Sequence, residues 1–344
     1  MQHEITQAMP LLDSNGCLLE PGWARHPFWQ YDRGQIKAPW YRIKEWDYYY
    51  ILSAENNCGI SITMSDLGYA GLFAICWLDF KSGKSFQEEA LVLLPKGNLG
   101  LDQDSISSCL NLNHKDLSID YKVVGQERKI IFCAPNMKVG GKQALQGELL
   151  LSSSVNDDSL NIATGWLKNP KSFYYNRKIN CMLAKGRVQI ADDEYIFTHE
   201  NCTAGLDWGR GNWTYKNRWF WASANTHING KPFGLNLGYG FSDRSMASEN
   251  VIFYDGKAHK IDNVEFDFNE KNYLQSWQAT SSDNRLCFSF TPILDRNSSM
   301  NLLLIRSVQH QVFGYFDGYA ILDDGSKLEF KKMLGFAEDV FNCF

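Results

Sequence analysis

The sequence predicts an all-β protein of two tandem, related barrel- or sandwich-like domains with few helices, and three observations carry that expectation. Short apolar or alternating runs recur between Gly, Asn, Asp and Pro signals along most of the chain, as they do in sheet proteins. Residues 49–71 align without a gap on 219–241, so that Ser53 and Ala54 fall on Ser223 and Ala224, and Leu67, Gly68 and Tyr69 fall on Leu237, Gly238 and Tyr239, all at an offset of 170. QGELLL from Gln146 and DGYAIL from Asp317 repeat at nearly the same spacing. Self-similarity at half the chain length reads as two copies of one unit. A length of 344 residues also exceeds what one hydrophobic core usually supports.

Taken in order, residues 10–48 are turn-rich and aromatic, and Pro21, Pro27 and Pro39 prevent a long helix there. Strands are expected at GISITMS, GLFAICWLDF, LSIDYKVV, RKIIFCA and GELLLSSS. The polar stretch 152–159 is the best linker, which gives an N-terminal β domain over 1–155 and a C-terminal one over 156–344. The second half continues with GRVQI, DEYIFTH, RWFWASANTHI, PFGLNLGYGF, NVIFYDG, LCFSFTP, LLLIRSV and VFGYFDGYAILDDGSKLEF. One helix is expected, at the C-terminal LGFAEDVFNCF.

Asn229-Gly230, between two β runs, is the strongest hairpin signal, because a type I′ turn needs positive φ at both central residues. Opposing Ile228 to Lys231 places Ser223 across from Asn236, Asn225 from Gly234, Trp221 from Gly238 and Trp219 from Gly240. One face then carries Trp219, Trp221, Ser223, Asn225, Asn236 and a row of glycines. The other carries Phe220, Ala222, Ala224, Phe233, Leu235, Leu237, Tyr239 and Phe241, an ordinary core surface. Indoles opposite glycines either lie over bare backbone or leave space for a ligand.

DWGRGNWTY, from Asp207 to Tyr215, reads as a tight loop that gathers an acid, a base, rings and a hydroxyl. Asp207 and Arg210 either pair structurally or act, Asp207 as proton donor and Arg210 as orienting cation. In EWDYYY, alternation sends Glu45, Asp47 and Tyr49 to one side and Trp46, Tyr48 and Tyr50 to the other, with the acidic side read as a solvated edge. Asp66 sits inside an otherwise uncharged strand, where a carboxylate needs a partner or a purpose. Asp243, Arg244 and Glu249 lie in a polar segment after the hairpin, either solvating a barrel mouth or lining it.

Composition narrows the field. With 34 basic against 39 acidic residues and no long basic run, the electrostatic footprint of a nucleic-acid binder is missing. No apolar run reaches the roughly 18 residues of an integral membrane segment, and no secretion signal precedes the fold, so a soluble, cytoplasmic protein is expected. Nine cysteines without close pairing fit free thiols, and seven scattered His without HExxH argue against a metal site. Leu78 stands where a phosphate-binding loop before SGKS needs Gly, and GxGxxG and GxSxG are missing, which disfavours nucleotide cofactors and serine hydrolysis.

LLDSNGCLLEPGWARHPFWQYDR, KEWDYYYI, SDLGYAGL, DWGRGNWTY, FGLNLGYGFSDRSMASEN, VIFYDGKAHKI and LGFAEDVFN resemble, nearly end to end, the family called domain of unknown function 2804. More remotely, the tandem-barrel architecture is similar to the lipocalin-like superfamily of carotenoid hydratases and tocopherol cyclases. That resemblance implies an apolar cavity or inter-barrel cleft and an acid that protonates an alkene without an organic cofactor, with Asp207 or Asp66 as candidate here. The expected ligand is a hydrophobic or amphipathic small molecule, contacted by Trp213, Tyr215, Trp219, Trp221, Ser223, Asn236, Tyr239 and Asp243. Two other readings stay open: a carbohydrate-active enzyme using Glu45, Asp66 and Asp207, and a non-catalytic carrier or partner-binding module. Ligand, reaction and oligomeric state are not encoded in any motif.

Overall fold

The computed structural model describes residues 2–302 and 304–343. The strands are β1 (Met9–Pro10), β2 (Gly22–Ala24), β3 (Trp29–Gln30), β4 (Ile43–Ser53), β5 (Cys58–Asp66), β6 (Ala70–Asp79), β7 (Lys84–Leu93), β8 (Ser107–Asn113), β9 (Ser118–Val124), β10 (Glu127–Val139), β11 (Lys142–Ser152) and β12 (Leu160–Trp166). They continue with β13 (Asn169–Ile190), β14 (Asp193–Phe197), β15 (Thr203–Asn212), β16 (Lys216–Ile228), β17 (Lys231–Tyr239), β18 (Val251–Tyr254), β19 (Lys257–Lys260), β20 (Trp277–Thr280), β21 (Leu286–Leu302), β22 (Ile305–Ile321) and β23 (Lys327–Cys343). Apart from two short 3-10 turns, at Arg33–Gln35 and Trp40–Arg42, the described residues hold no helix. None is therefore long and apolar enough to cross a membrane.

Two curled sheets account for nearly all of these strands. The first runs β7-β6-β5-β4-β15-β13-β11-β10-β9-β8, with β12, β14 and β2 attached beside β13. The second runs β19-β18-β17-β16-β23-β22-β21-β20. The chain passes from one to the other at residues 213–215, between β15 and β16, whereas 152–159 joins β11 to β12 within the first sheet. Each sheet closes over its own apolar interior: Tyr49, Ile51, Ile60, Ile62, Phe132 and Phe173 lie in the first, and Phe233, Leu235, Trp277, Phe290 and Phe316 in the second.

The outer faces of the two sheets pack against each other. Tyr48, Tyr50, Leu52 and Leu78 of the first meet Trp221, Phe313, Leu334 and Phe336 of the second. Beside them, Trp23, Ile162, Tyr174, Trp213 and Val251 form a further shared cluster. Strands of this seam are buried on both faces, so apolar residues run through them without alternation. That is why the C-terminal LGFAEDVFNCF is a strand and not the expected helix: residues 333–340 of β23 are buried without a break.

The hairpin register holds as the Asn-Gly turn demands. Asn229 and Gly230 have φ of 54° and 73°, and Ile228 pairs with Lys231, Ser223 with Asn236, Asn225 with Gly234 and Trp221 with Gly238. The ladder ends at Phe220 and Tyr239, before Trp219 and Gly240. Tandem architecture stands, but the ungapped offset does not map equivalent positions. The first hairpin turns through four residues, 54–57, and Tyr49 and Ile51 point into the first sheet's interior while Trp219 and Trp221 point into the seam. The even offset of 170 sets inward residues of one hairpin on outward residues of the other in both strands, because a one-residue shift in a strand exchanges its faces.

Candidate functional site

DWGRG is not a loop. It lies in β15, paired on one side to β4 and on the other to β13. Its glycines, with Gly205 two turns of the pleat earlier, make room for rings from neighbouring strands: a Cβ on Gly205 would come 2.3 Å from the Tyr50 hydroxyl, and one on Gly209 2.1 Å from Trp46 Cζ2. The glycine-beside-ring arrangement is thus packing at these positions. Strand alternation then separates the two residues expected to act together. Asp207 faces the seam, while Arg210 faces the first sheet's interior beside Trp208, its guanidinium 4.1 Å from that ring.

In the seam, register lines up two facing rows of polar groups. Tyr48, Asp207 and Lys178 lie side by side across β4, β15 and β13. Opposite them, Gln311, Glu338, Trp221 and Gly238 lie side by side across β22, β23, β16 and β17. Lys178 Nζ is 3.1 Å from Asp207 Oδ2, 3.9 Å from Glu249 Oε2 and 3.9 Å above the Trp221 ring. Asn176 Nδ2 donates to Asp207 Oδ1 at 2.5 Å. Gln311 Nε2 donates to Glu338 Oε1 (2.6 Å) and to the Tyr48 hydroxyl (2.9 Å), and Arg296 Nη1 donates to Gln311 Oε1 (2.7 Å). Trp221 Nε1 donates to Asn236 Oδ1 (2.7 Å), and Asn236 Nδ2 to the Glu249 carbonyl (2.9 Å).

Gly238 is bare because Glu249 fills its space: a Cβ there would come 2.2 Å from Glu249 Oε2. Glu249 is 5% exposed, and its Oε1 has no hydrogen-bond partner among the described residues. It borders, with Tyr174, Phe241, Ser242 and Arg244, a cavity of about 10 Å³, room for a single water. Burial shifts the ionisable groups here. Burial pushes the Glu338 carboxyl up to about 7, Lys178 opposing and Asp207 assisting. Burial, then Glu249 and Asp207, holds the Tyr174 phenol well above its ordinary value. The Lys260 ammonium, which donates to the Ser248 carbonyl, is brought down to about 7 by burial, with Glu249 opposing.

The remaining sequence candidates are dispersed. Trp213 stacks on Phe241 (5.1 Å) and meets Trp219 edge-on (5.6 Å) at the seam's aromatic end. The Ser223 and Tyr50 hydroxyls share a 2.6 Å hydrogen bond across the seam. Tyr239 faces the second interior, where its hydroxyl accepts from Phe266 N (2.8 Å). Tyr215 is exposed and donates to the Leu304 carbonyl (2.6 Å). Asp243 accepts from Ser245 N (3.0 Å) within its own turn. Asp66 clasps two loop amides, Gly68 N and Gly97 N, each at 2.8 Å.

Glu45 and Asp47 do not form a solvated edge. They are 3% and 2% exposed inside the first sheet, where Arg33 (2.5 Å) and Tyr31 (2.7 Å) hold Glu45 and Arg210 (3.0 Å) holds Asp47. Glu45, Asp66 and Asp207 therefore line no common groove. Sequence reasoning missed Asn176, Lys178, Glu338 and Gln311. The first two had a signal, charged and amide residues inside the turn-free run FYYNRKINCML; Glu338 was masked by the helix expectation.

A family model described as "Domain of unknown function (DUF2804)" matches residues 2–344. The chain belongs to this family. The DUF2804 chain matches no curated protein. Among solved structures it is similar to CghA in complex with Sch210972, with 9% identity over 88% of each chain and a TM-score of 0.49. It is also similar to kievitone hydratase from Nectria haematococca, with 11% identity over 88% of each chain and a TM-score of 0.46. A third likeness is to a putative AttH from Nitrosomonas europaea, with 12% identity over 87% of this chain and 92% of that one and a TM-score of 0.44.

Proposed function

We propose that the seam is a proton-transfer site acting on a hydrophobic or amphipathic small molecule, in a hydration or cyclisation that uses the protein's own carboxyl as acid. The observation that carries this reading is the pair of facing rows, which sets Glu338 opposite the Lys178–Asp207 ion pair in a buried, Trp-lined interface. A carboxyl titrating near neutrality is suited to deliver a proton at physiological pH. Lys178 holds the neighbouring carboxylates, Asp207 fixes Lys178, and Trp221, Tyr174 and Phe241 supply apolar walls. In a hydration, Glu338 protonates the alkene carbon and a water adds to the resulting cation and returns its proton to the carboxylate. In a cyclisation an internal π bond takes the place of water. In this reading a ligand enters over residues 240–246, which are half-buried or exposed, and not over the buried 247–250.

The test is to purify the protein from its host under mild conditions, identify co-purifying molecules by mass spectrometry, and follow their conversion. An isoprenoid, fatty or polyketide-like species retained but not turned over by Glu338→Gln supports the reading. Full turnover by that variant, or a bound sugar in place of such a species, overturns it.

A further inference from the structure

In the interior of the first sheet two guanidiniums lack a direct ion pair among the described residues, and Asp47 and Asp104 act on them only from a longer range. Of the guanidiniums there, Arg33 is paired with Glu45 and Arg210 with Asp47. Arg128 and Arg177 are 0% and 4% exposed, and neither makes an ion pair among the described residues. Both are gathered around one neutral residue, Ser105: its carbonyl accepts from Arg128 Nη2 (3.0 Å) and its hydroxyl from Arg177 Nη1 (2.8 Å). Arg128 Nη1 also donates to the Gln126 carbonyl (2.8 Å) and Arg177 Nε to the Ser159 hydroxyl (3.3 Å), while Arg128 Nε has no acceptor among the described residues. Buried charge is normally paired, and hydroxyl and carbonyl oxygens do not neutralise two neighbouring cations. The strain is visible in Arg177, brought down to about 10 by burial and by Arg128.

We propose that Arg128 and Arg177 form an anion site for the carboxylate or phosphate group of a small molecule, which takes the place of Ser105. An oxyanion offers several acceptors to two guanidinium forks, including Arg128 Nε, and supplies the missing charge. Ser105 belongs to the segment 94–106, which β-ladders do not hold. Around Ser105 it is moored by Arg210 Nη2 to the Asp102 carbonyl (2.8 Å), Arg33 N to Gln103 Oε1 (3.1 Å) and Gly125 N to the Ile106 carbonyl (2.7 Å), while Leu99 and Leu101 pack against the core and Gly97 N is held by Asp66. Arg177 lies on the face of β13 opposite Lys178, so this site stands independently of the proton-transfer reading.

Thermal unfolding of the full chain is followed while inorganic phosphate or octanoate is titrated against chloride at constant ionic strength. The expected result is a saturable rise in Tm with at least one of the two; which one responds distinguishes a phosphate head from a carboxylate. Arg177→Gln weakens that binding about tenfold or more, as expected for loss of a charge-assisted fork, and Ser105→Ala, which frees Arg177 Nη1, tightens it. If wild-type protein shows no saturable shift with either anion, or Arg177→Gln and Ser105→Ala leave the affinity unchanged, the site does not exist.

Discussion

Replacing Glu338 by Gln isolates the electrostatic cost of the seam. In the folded chain this carboxyl titrates at about 7 against an ordinary 4.5, and each unit of difference is worth about 1.4 kcal/mol, giving roughly 3 kcal/mol. Because the folded value is the higher one, the folded state binds the extra proton between about pH 4.5 and 7. Stability therefore falls as pH rises through that window, and the full cost is present above it. Gln keeps an oxygen for Gln311 to donate to but cannot ionise. Urea unfolding of both proteins across pH should show them equal near about pH 4 and the variant more stable by ~3 kcal/mol near about pH 8. A difference that does not change with pH, or one in which wild type gains on the variant as pH rises, refutes the account of a carboxyl ionising against its surroundings.

Other perturbations probe the same interface. Lys178→Met leaves Asp207 and Glu249 as buried carboxylates without their cation and should cost about 3–5 kcal/mol in denaturant unfolding. Gly209→Ala drives a methyl into the Trp46 ring and should cost about 1–3 kcal/mol, read from the same measurement. Lys260, whose folded value of about 7 lies below its ordinary 10.5, acts with the opposite sign to Glu338. It makes stability rise with pH from about 7 to 10.5, a slope that Lys260→Met should abolish in pH-dependent thermal melts.

What the sequence made legible follows from which constraints are local. The register of β16 and β17 could be read because Asn229-Gly230 admits one kind of turn and the alternation then has no freedom. The anomaly of Asp66 could also be read, since a carboxylate amid uncharged strand residues must be bound by something, here two amides. The seam was illegible because it is made by strands far apart in the chain: nothing local says that β4, β13 and β15 are covered on their outer faces. Without that cover, Glu45 and Asp47 look like a wet edge, the glycines of β15 look like a turn, and the continuous burial of β23 looks like a helix. The charged pair expected at Asp207 and Arg210 failed for the same reason, because three residues along a strand means opposite sides of the sheet.

Strands with two dry faces also change how the protein responds to mutation. An ordinary surface strand forgives every second position. In β4, β15 and the stretch Ser172–Ile179 of β13 an outward residue is nearly as enclosed as an inward one, so a saturation scan should show unbroken intolerance along Trp46–Tyr50, Tyr174–Lys178 and Leu206–Arg210 in place of the usual alternating stripe. Drift in this chain is thereby pushed outward to the far edges of both sheets, and its central strands are left with little room to change one face without the other.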